Sequence, residues 1–253
     1  MKLQFIVATH SPLLITPSNI KNVYKFTNNY HVIKVARPWS AITSGESTLV
    51  QMLQIENIAK VFFVDKIIMV EWDTDEYFFK FYFEYLSRNY DKYANIIRNY
   101  EVVNINGKWR YYYWRQFLGK FGVDAYFIWD RDNIEDQGIV QSLHHVKDVA
   151  KWYYVKNHFA KWSKYWKVVR WLKARNYELY KYITKEIKKL YPTGFLIMQL
   201  GDLESYLWLQ DKWLEDTIDF CNNQLTNRLN DSFYEKYREE LDQMVDAIFP
   251  SPY

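Results

Sequence analysis

The sequence has very little cysteine, glycine or proline, and each shortage excludes a class of protein. Cys221 is the one cysteine among 253 residues, which excludes an internal disulfide and a zinc site built on cysteines. Seven glycines and six prolines exclude collagen-like and linker-rich designs. No apolar run approaches the roughly 18 residues that suggest a membrane-spanning helix. We therefore expect a cytoplasmic protein without a membrane partner.

The residues that are abundant are those of a folded domain. Hydrophobic residues make up 49% of the chain and charged residues 25%, which excludes wholesale disorder. Aromatic residues reach 20%, with 11 tryptophans and 23 tyrosines. The length suits one large domain or two smaller ones.

The formal net charge of +3 conceals a strong separation of charge along the chain. Residues 147–189 carry 13 lysines and arginines against three acids, whereas residues 201–253 carry 12 acids against four basic residues. A chain that separates its charge in this way can present a basic face to an anionic partner.

Short apolar runs that alternate with helical patterns predict a parallel sheet with crossover helices, an α/β fold. The predicted strands are residues 61–64, 67–70, 102–105 and 125–129, and the predicted helices between them are residues 75–86 and 109–120. From about residue 138 to the end, the pattern predicts a mostly helical domain.

Two acidic clusters directly follow predicted strands. Glu71, Asp73 and Asp75 come after residues 67–70, and Asp130 and Asp132 come after residues 125–129. Ligands bind at the carboxyl ends of parallel strands, and residues i and i+2 of an extended segment point the same way. Converging carboxylates suit Mg²⁺ or Mn²⁺. The alternative is that these acids cap helices and solvate loops.

An acid that ends one strand, followed about 60 residues later by D-x-D, resembles the Toprim domain of topoisomerases, primases and nucleases. The phrase VFFVDKIIMVE at residues 61–71 resembles the start of Toprim in the overcoming-lysogenization-defect (OLD) family. The phrase ATHSP at residues 8–12 is similar to the His-switch segment that closes the ATPase domain of that family. The phrase GDLE at residues 201–204 is similar to its late acidic motif.

The resemblance implies a Mg²⁺- or Mn²⁺-dependent Toprim endonuclease that cleaves phosphodiester bonds in DNA or RNA, with a place in antiviral defence. It divides the chain into an ATPase remnant and connector (1–50), a Toprim core (51–137) and a helical domain with the late acid (138–253). The implied catalytic metal ligands are Glu71, Asp75, Asp130, Asp132 and Glu204. Lys212 is a further candidate, for neutralising charge in the transition state.

Two departures from the family pattern keep a second interpretation open. Trp72 stands where the family usually has glycine directly after the first glutamate. No glycine stands in a G-x-x-x-x-G-K-[ST] arrangement, so the chain is not a complete P-loop ATPase. His10 and its neighbours in residues 5–15 are then expected to form an edge strand and turn. The alternative function is a degraded Toprim module that binds a partner ATPase or nucleic acid, and self-association stays open.

The basic segment interleaves lysine and arginine with aromatic residues, which is typical of single-strand binding. Lys161, Lys164, Lys167 and Arg170 are the predicted phosphate contacts. The alternative is an amphipathic helix pair, because Trp152, Phe159 and Trp166 recur at helical spacing and can form a core.

Overall fold

The computed structural model describes residues 5–16, 18–29, 32–36, 58–107, 111–119, 122–130, 173–175, 177–199, 202–207, 209, 213–225, 227 and 233–250. Its strands are β1 (Lys25–Asn29), β2 (Val32–Ala36), β3 (Lys66–Val70), β4 (Tyr100–Asn104), β5 (Asp124–Trp129) and β6 (Phe195–Ile197). Its helices are α1 (Asp73–Asn89), α2 (Asp91–Ala94), α3 (Tyr111–Gly119), α4 (Tyr177–Lys188), α5 (Leu203–Leu207), α6 (Leu214–Asp219) and α7 (Phe233–Ile248). A π-helical turn, Phe220–Leu225, follows α6.

The centre of the fold is a four-stranded sheet in the order β4-β3-β5-β6. All three pairings are parallel, with Val70 opposite Asn104 and Met69 opposite Phe127. Helices α1 and α3 each lead from one strand towards the next, as crossover connections in a parallel sheet require. The expected α/β fold with a parallel sheet and crossover helices is confirmed.

The sheet is buried because its strands are apolar on both faces, which is the pattern of parallel sheets covered by helices. Residues 67–70 of β3 are each at most 1% exposed. Helix α1 buries one face through Phe79, Phe83 and Leu86, at the spacing of successive turns.

Part of the high aromatic content is explained by a ring cluster that attaches β6 to the sheet. The rings of Phe127 and Phe195 are stacked with their centroids 5.5 Å apart. Tyr111 of α3 lies edge-on to Trp129 at 4.5 Å and to Phe195 at 5.7 Å. Edge-to-face and stacked pairs each add to the stability that comes from burial alone.

The C-terminal helix α7 packs on the same core. The ring of Phe249 lies edge-on to Phe83 of α1 and to Tyr100 of β4, at 5.7 and 5.5 Å between centroids. The hydroxyl of Tyr93 donates to Asp242 Oδ1 at 2.8 Å. The acidic end of the chain therefore packs against the sheet unit through both apolar and polar contacts.

Lys25 of the antiparallel hairpin of β1 and β2 contacts the chain just before the amino edge of the sheet. Lys25 Nζ donates to the carbonyl oxygen of Val64 at 2.8 Å, just before β3 begins. Burial lowers the pKa of Lys25, while the charges of Asp65 and Asp124 act in the opposite direction.

Three local predictions were wrong. Residues 61–64 were expected as a strand, but a 3₁₀ helix spans Ile58–Phe63 and places Phe62 in the core, edge-on to Phe117. Residues 5–15 were expected as an edge strand and turn; no strand is present there, and a 3₁₀ turn spans Pro12–Leu14. Residues 195–197, in the region expected to be helical, form β6.

No described helix is both long enough and apolar enough to cross a membrane. The predicted domain boundaries at residues 50 and 137 stay predictions, although β6 lies beyond the second boundary and pairs with β5 before it.

Candidate metal centre

The carboxyl edge of the sheet carries buried carboxylates after two adjacent strands. Glu71 directly follows β3 and Asp130 directly follows β5. Both are only 7% exposed. Neighbouring strands lie about 4.8 Å apart, so the two backbones bring these acids to the same edge. A carboxylate kept from water needs hydrogen bonds or a cation to remain charged.

A third buried acid, Glu204, follows β6, the strand that pairs with β5 on its other side. Strand β6 pairs with β5, and the backbone N–H of Met198 extends that pairing by donating to the carbonyl of Trp129 at 2.8 Å. Helix α5 follows and carries Glu204, which is 8% exposed. Glu240 of α7 fixes the connecting turn, because its Oε1 accepts from the backbone N–H of Gln199 at 2.6 Å.

Asp75 has a clear structural task. It is the third residue of α1, and its Oδ2 accepts from the backbone N–H of Trp72 at 3.1 Å. This is one half of a capping box, and an acid in the first turn also stabilises the positive end of the helix dipole. The prediction that Asp75 caps a helix is therefore supported directly, and its role as a metal ligand stays a prediction.

Asn104, which the sequence did not single out, positions the acidic turn from the neighbouring strand. Its Nδ2 donates to Asp73 Oδ1 at 2.6 Å, and its Oδ1 accepts from the backbone N–H of Asn106 at 2.7 Å. Its own N–H donates to Glu76 Oε2 at 3.0 Å. The signal that could have identified it is a buried amide at the end of the apolar run Val102-Val103.

Lys80 joins the same hydrogen-bond network through ion pairs with Glu76 and Glu101. Its Nζ lies 2.6 Å from Glu76 Oε1 and 3.0 Å from Glu101 Oε1. Burial acts to lower the pKa of Lys80, but hydrogen bonds to the two glutamates outweigh it, so the pKa is raised. The ammonium stays charged and ties α1 to β4 beside the acidic turn.

Comparison with known families is decisive for the central segment. Residues 62–132 match the family model of the overcoming lysogenization defect protein-like TOPRIM domain. This segment is therefore similar to an OLD-like Toprim domain. No curated protein and no solved structure matches the chain. The match contains Glu71, Asp75, Asp130 and Asp132, and it ends before Glu204 and the basic segment.

The donors at the carboxyl edge of the Toprim domain fit a hard divalent cation. Toprim domains in general bind such ions, and carboxylate oxygens are the ligands that Mg²⁺ and Mn²⁺ prefer. Among the described residues, no group of three or more His, Cys, Asp or Glu is arranged to hold a metal. Mg²⁺ usually keeps several waters and takes one or two carboxylates, so a pair of acids at this edge is compatible with it.

Several predicted residues lie outside the part of the chain that the structure describes: Asp132, Lys161, Lys164, Lys167, Arg170 and Lys212. His10 is described and exposed, with its ring 6.4 Å from that of Phe63. The proposed descent of this segment from an ATPase stays a prediction.

Trp72, at the usual glycine position of the Toprim motif, is accommodated without backbone strain. Its φ of −130° and ψ of 164° are extended values that any residue adopts. The side chain is 45% exposed, so it is not part of the core. The backbone at this turn therefore shows no distortion caused by the tryptophan.

Replacing Trp72 by glycine is expected to change stability little. The position precedes α1 as its N-cap, where glycine ranks above large apolar residues, and this offsets the loss of a half-exposed ring. We expect a loss of about 1 kcal/mol or less in urea denaturation, with Trp72→Ala as the matched variant. A loss near the 3–5 kcal/mol typical of a buried tryptophan would contradict this placement of the side chain.

Proposed function

We propose that this chain is a divalent-metal-dependent nuclease of the OLD type that cleaves phosphodiester bonds in DNA or RNA. The observation that carries the proposal is the set of buried carboxylates, Glu71, Asp130 and Glu204, that follow three neighbouring strands of a sheet whose central part is similar to an OLD-like Toprim domain. A nuclease-type domain with acids at this edge is suited to hold a cation against a phosphate.

Different residues of the chain would bind the metal ion and position the acidic turn. Glu71 and Asp130, with Asp132 and Glu204, would hold Mg²⁺ or Mn²⁺, which when bound activates water and stabilises the leaving oxygen. Asp75 and Asn104 would keep the acidic turn in place through the hydrogen bonds described above.

Basic residues would bring the substrate to this edge. Lys161, Lys164, Lys167 and Arg170 would contact phosphates, as the charge of their segment suggests. Lys212 would neutralise charge as the phosphate is attacked.

A second candidate is a binding-only Toprim module that docks on an ATPase or binds nucleic acid. The absence of a three-residue metal cluster among the described residues favours it. A module of this kind would keep the fold and the affinity for a partner, and would not cut.

Two measurements on the full chain separate the candidates. Crystals soaked in Mn²⁺ would show anomalous density between Glu71 and Asp130 under the first proposal. End-labelled single-stranded DNA, duplex DNA and RNA would be cut in Mg²⁺ or Mn²⁺ and left intact in EDTA. Binding of nucleic acid without cutting, at any metal concentration, would select the second candidate. No metal density together with no binding would reject both.

A further inference from the structure

The first turns of α4, together with Lys173 just before the helix, form a surface in which tyrosine rings and lysine ammonium groups alternate. The rings of Tyr177 and Tyr180 are stacked, with centroids 6.2 Å apart and planes 18° from parallel. Lys181 Nζ lies 4.9 Å from the Tyr177 ring, and Lys173 Nζ lies 5.6 Å from the Tyr180 ring. These four residues are called the tyrosine–lysine surface below.

This surface faces solvent. Tyr177 is 52% exposed, and Lys173 and Lys181 are exposed as well. The opposite side of α4 is buried through Ile183 and Ile187, which fix the helix to the core. Tyr180 is partly buried against the core, whereas the ring of Tyr177 and both lysines face solvent, so the outer face of the Tyr177 ring is accessible to a ligand.

The local charge is positive where the surface lies. Lys173, Arg175 and Lys181 are opposed there by Glu178, whose Oε1 lies 2.8 Å from Lys181 Nζ. Towards the other end of the helix, Lys188 and Lys189 pair with acids of the chain. An anionic ligand is thus favoured at the beginning of α4.

The connection between α4 and β6 indicates that the beginning of α4 lies towards the carboxyl edge of the sheet, where Glu71 and Asp130 are. The short link Tyr191–Thr193 and Gly194 join the end of α4 to the amino end of β6. Helix α4 packs on β6, and a helix that leads into a parallel strand runs antiparallel to it, so we expect the beginning of α4 towards the carboxyl edge. A helix of 12 residues is about 18 Å long and extends past a strand of three residues.

We propose that the tyrosine–lysine surface binds single-stranded nucleic acid, with a base stacked on the tyrosine pair and phosphates held by Lys173 and Lys181. Aromatic faces accept any base, and lysines follow the backbone, so this surface recognises unpaired strands with little sequence preference. The inference rests on the proposed function in taking nucleic acid as the ligand, and it names the form of the substrate and where it lies.

The test is a binding titration of the full chain in EDTA, so that no cutting occurs. Fluorescein-labelled (dT)12 and (rU)12 are the probes, followed by fluorescence anisotropy at three salt concentrations. Tyr177→Ala is expected to weaken binding of both oligonucleotides at least about fivefold, and Tyr177→Phe is expected to restore it. Lys173→Gln with Lys181→Gln is expected to lower the slope of log K against log salt by about 1.4, since each single-strand phosphate contact contributes about 0.7.

Controls separate stacking from simple charge attraction and from misfolding. Tyr24→Ala with Lys34→Gln, on the exposed N-terminal hairpin, is the matched variant and is expected to bind as the wild type does. Polyphosphate, which has no bases, is expected to bind Tyr177→Ala and wild type equally. Tyr177→Leu replaces Tyr177→Ala if the latter fails to give the wild-type melting temperature.

Three outcomes would overturn the inference. One is oligonucleotide affinity within twofold of wild type for Tyr177→Ala, and a second is an unchanged salt slope for the lysine pair. The third is tighter binding of a 12-base-pair duplex than of (dT)12. Because the titration contains no metal, a chain that binds in this way but never cuts would reject the nuclease proposal and leave the tyrosine–lysine surface standing.

Discussion

Glu71→Gln and Asp130→Asn, separately and together, are expected to abolish metal-dependent cleavage and to reduce Mn²⁺ affinity by more than about 100-fold. Loss of a residue that merely supports a metal ligand costs about 10–100-fold, so loss of a ligand costs more. Both side chains are buried at the carboxyl edge, and water cannot replace their charge there. Isothermal titration with Mn²⁺ and a gel assay with labelled DNA and RNA are the measurements.

The fold of these variants is expected to survive, because amides replace carboxylates of equal size. Buried carboxylates at one edge repel each other without a cation, so the metal-free melting temperature is expected to stay equal or rise. Mn²⁺ would raise the melting temperature of the wild type and not that of the double variant. The same outcome is expected for Asp130→Asn combined with Asp132→Asn.

Asp124→Asn is the matched control, because Asp124 begins the strand that Asp130 follows. It lies at the opposite edge of the sheet, is exposed, and has its Oδ2 3.6 Å from Lys66 Nζ. Loss of such a surface pair costs at most about 1 kcal/mol. Wild-type cleavage by the Asp130 variant, or equal damage from Asp124→Asn, would show that the acids of the carboxyl edge are not the site.

Gly194→Ala is expected to destabilise the protein by about 2–5 kcal/mol. Gly194 has a φ of +88°, and a Cβ there would lie 2.7 Å from the carbonyl oxygen of Ala125 in β5. Left-handed backbone costs other residues about 1–2 kcal/mol, and overpacking adds about 1–3 kcal/mol. Urea denaturation of wild type and variant measures the difference in the free energy of unfolding.

Substitutions at two other glycines separate the cost of the left-handed backbone from the cost of overpacking. Gly122 has a φ of +63° with open space around its Cβ position, so Gly122→Ala reports backbone strain alone, about 1–2 kcal/mol. Gly119, at the end of α3, has open space and no positive φ, so Gly119→Ala is expected to cost nothing. If Gly194→Ala lowers the free energy of unfolding no more than Gly122→Ala does, then β5 shifts to make room for the added methyl group.

The parts of the fold that the sequence could predict are those with a long or strongly apolar signal. Strand β3 and the second half of β5 are runs of buried residues, and α1 shows helical spacing over four turns. Residues 61–64 are equally apolar but form part of a 3₁₀ helix, because a short apolar run fits a strand or a buried turn equally well. Strand β6, with three residues, is too short to show any period.

The residues of the site also divide into those that the sequence could predict and those that it could not. Acids that directly follow strands can be found in the sequence, because every residue that follows a strand of a parallel sheet lies at the carboxyl edge of that sheet. The hydrogen bonds of Asn104 are not visible, because they join β4 to the turn after β3 and depend on the register of Val70 with Asn104. The capping role of Asp75 was visible as an alternative, and the contact with Trp72 supports it.

The pairing of β6 with β5 has a consequence for biosynthesis. Phe195 pairs with Phe127, about 70 residues earlier, so the outer edge of β5 stays unpaired until residues 195–197 have left the ribosome. An apolar strand with unpaired N–H and C=O groups is a template for pairing with another nascent chain. A fragment that stops at residue 132, where the family match ends, would keep that edge open permanently. A stretch expected to keep the outer edge of β5 paired therefore continues through Ile197.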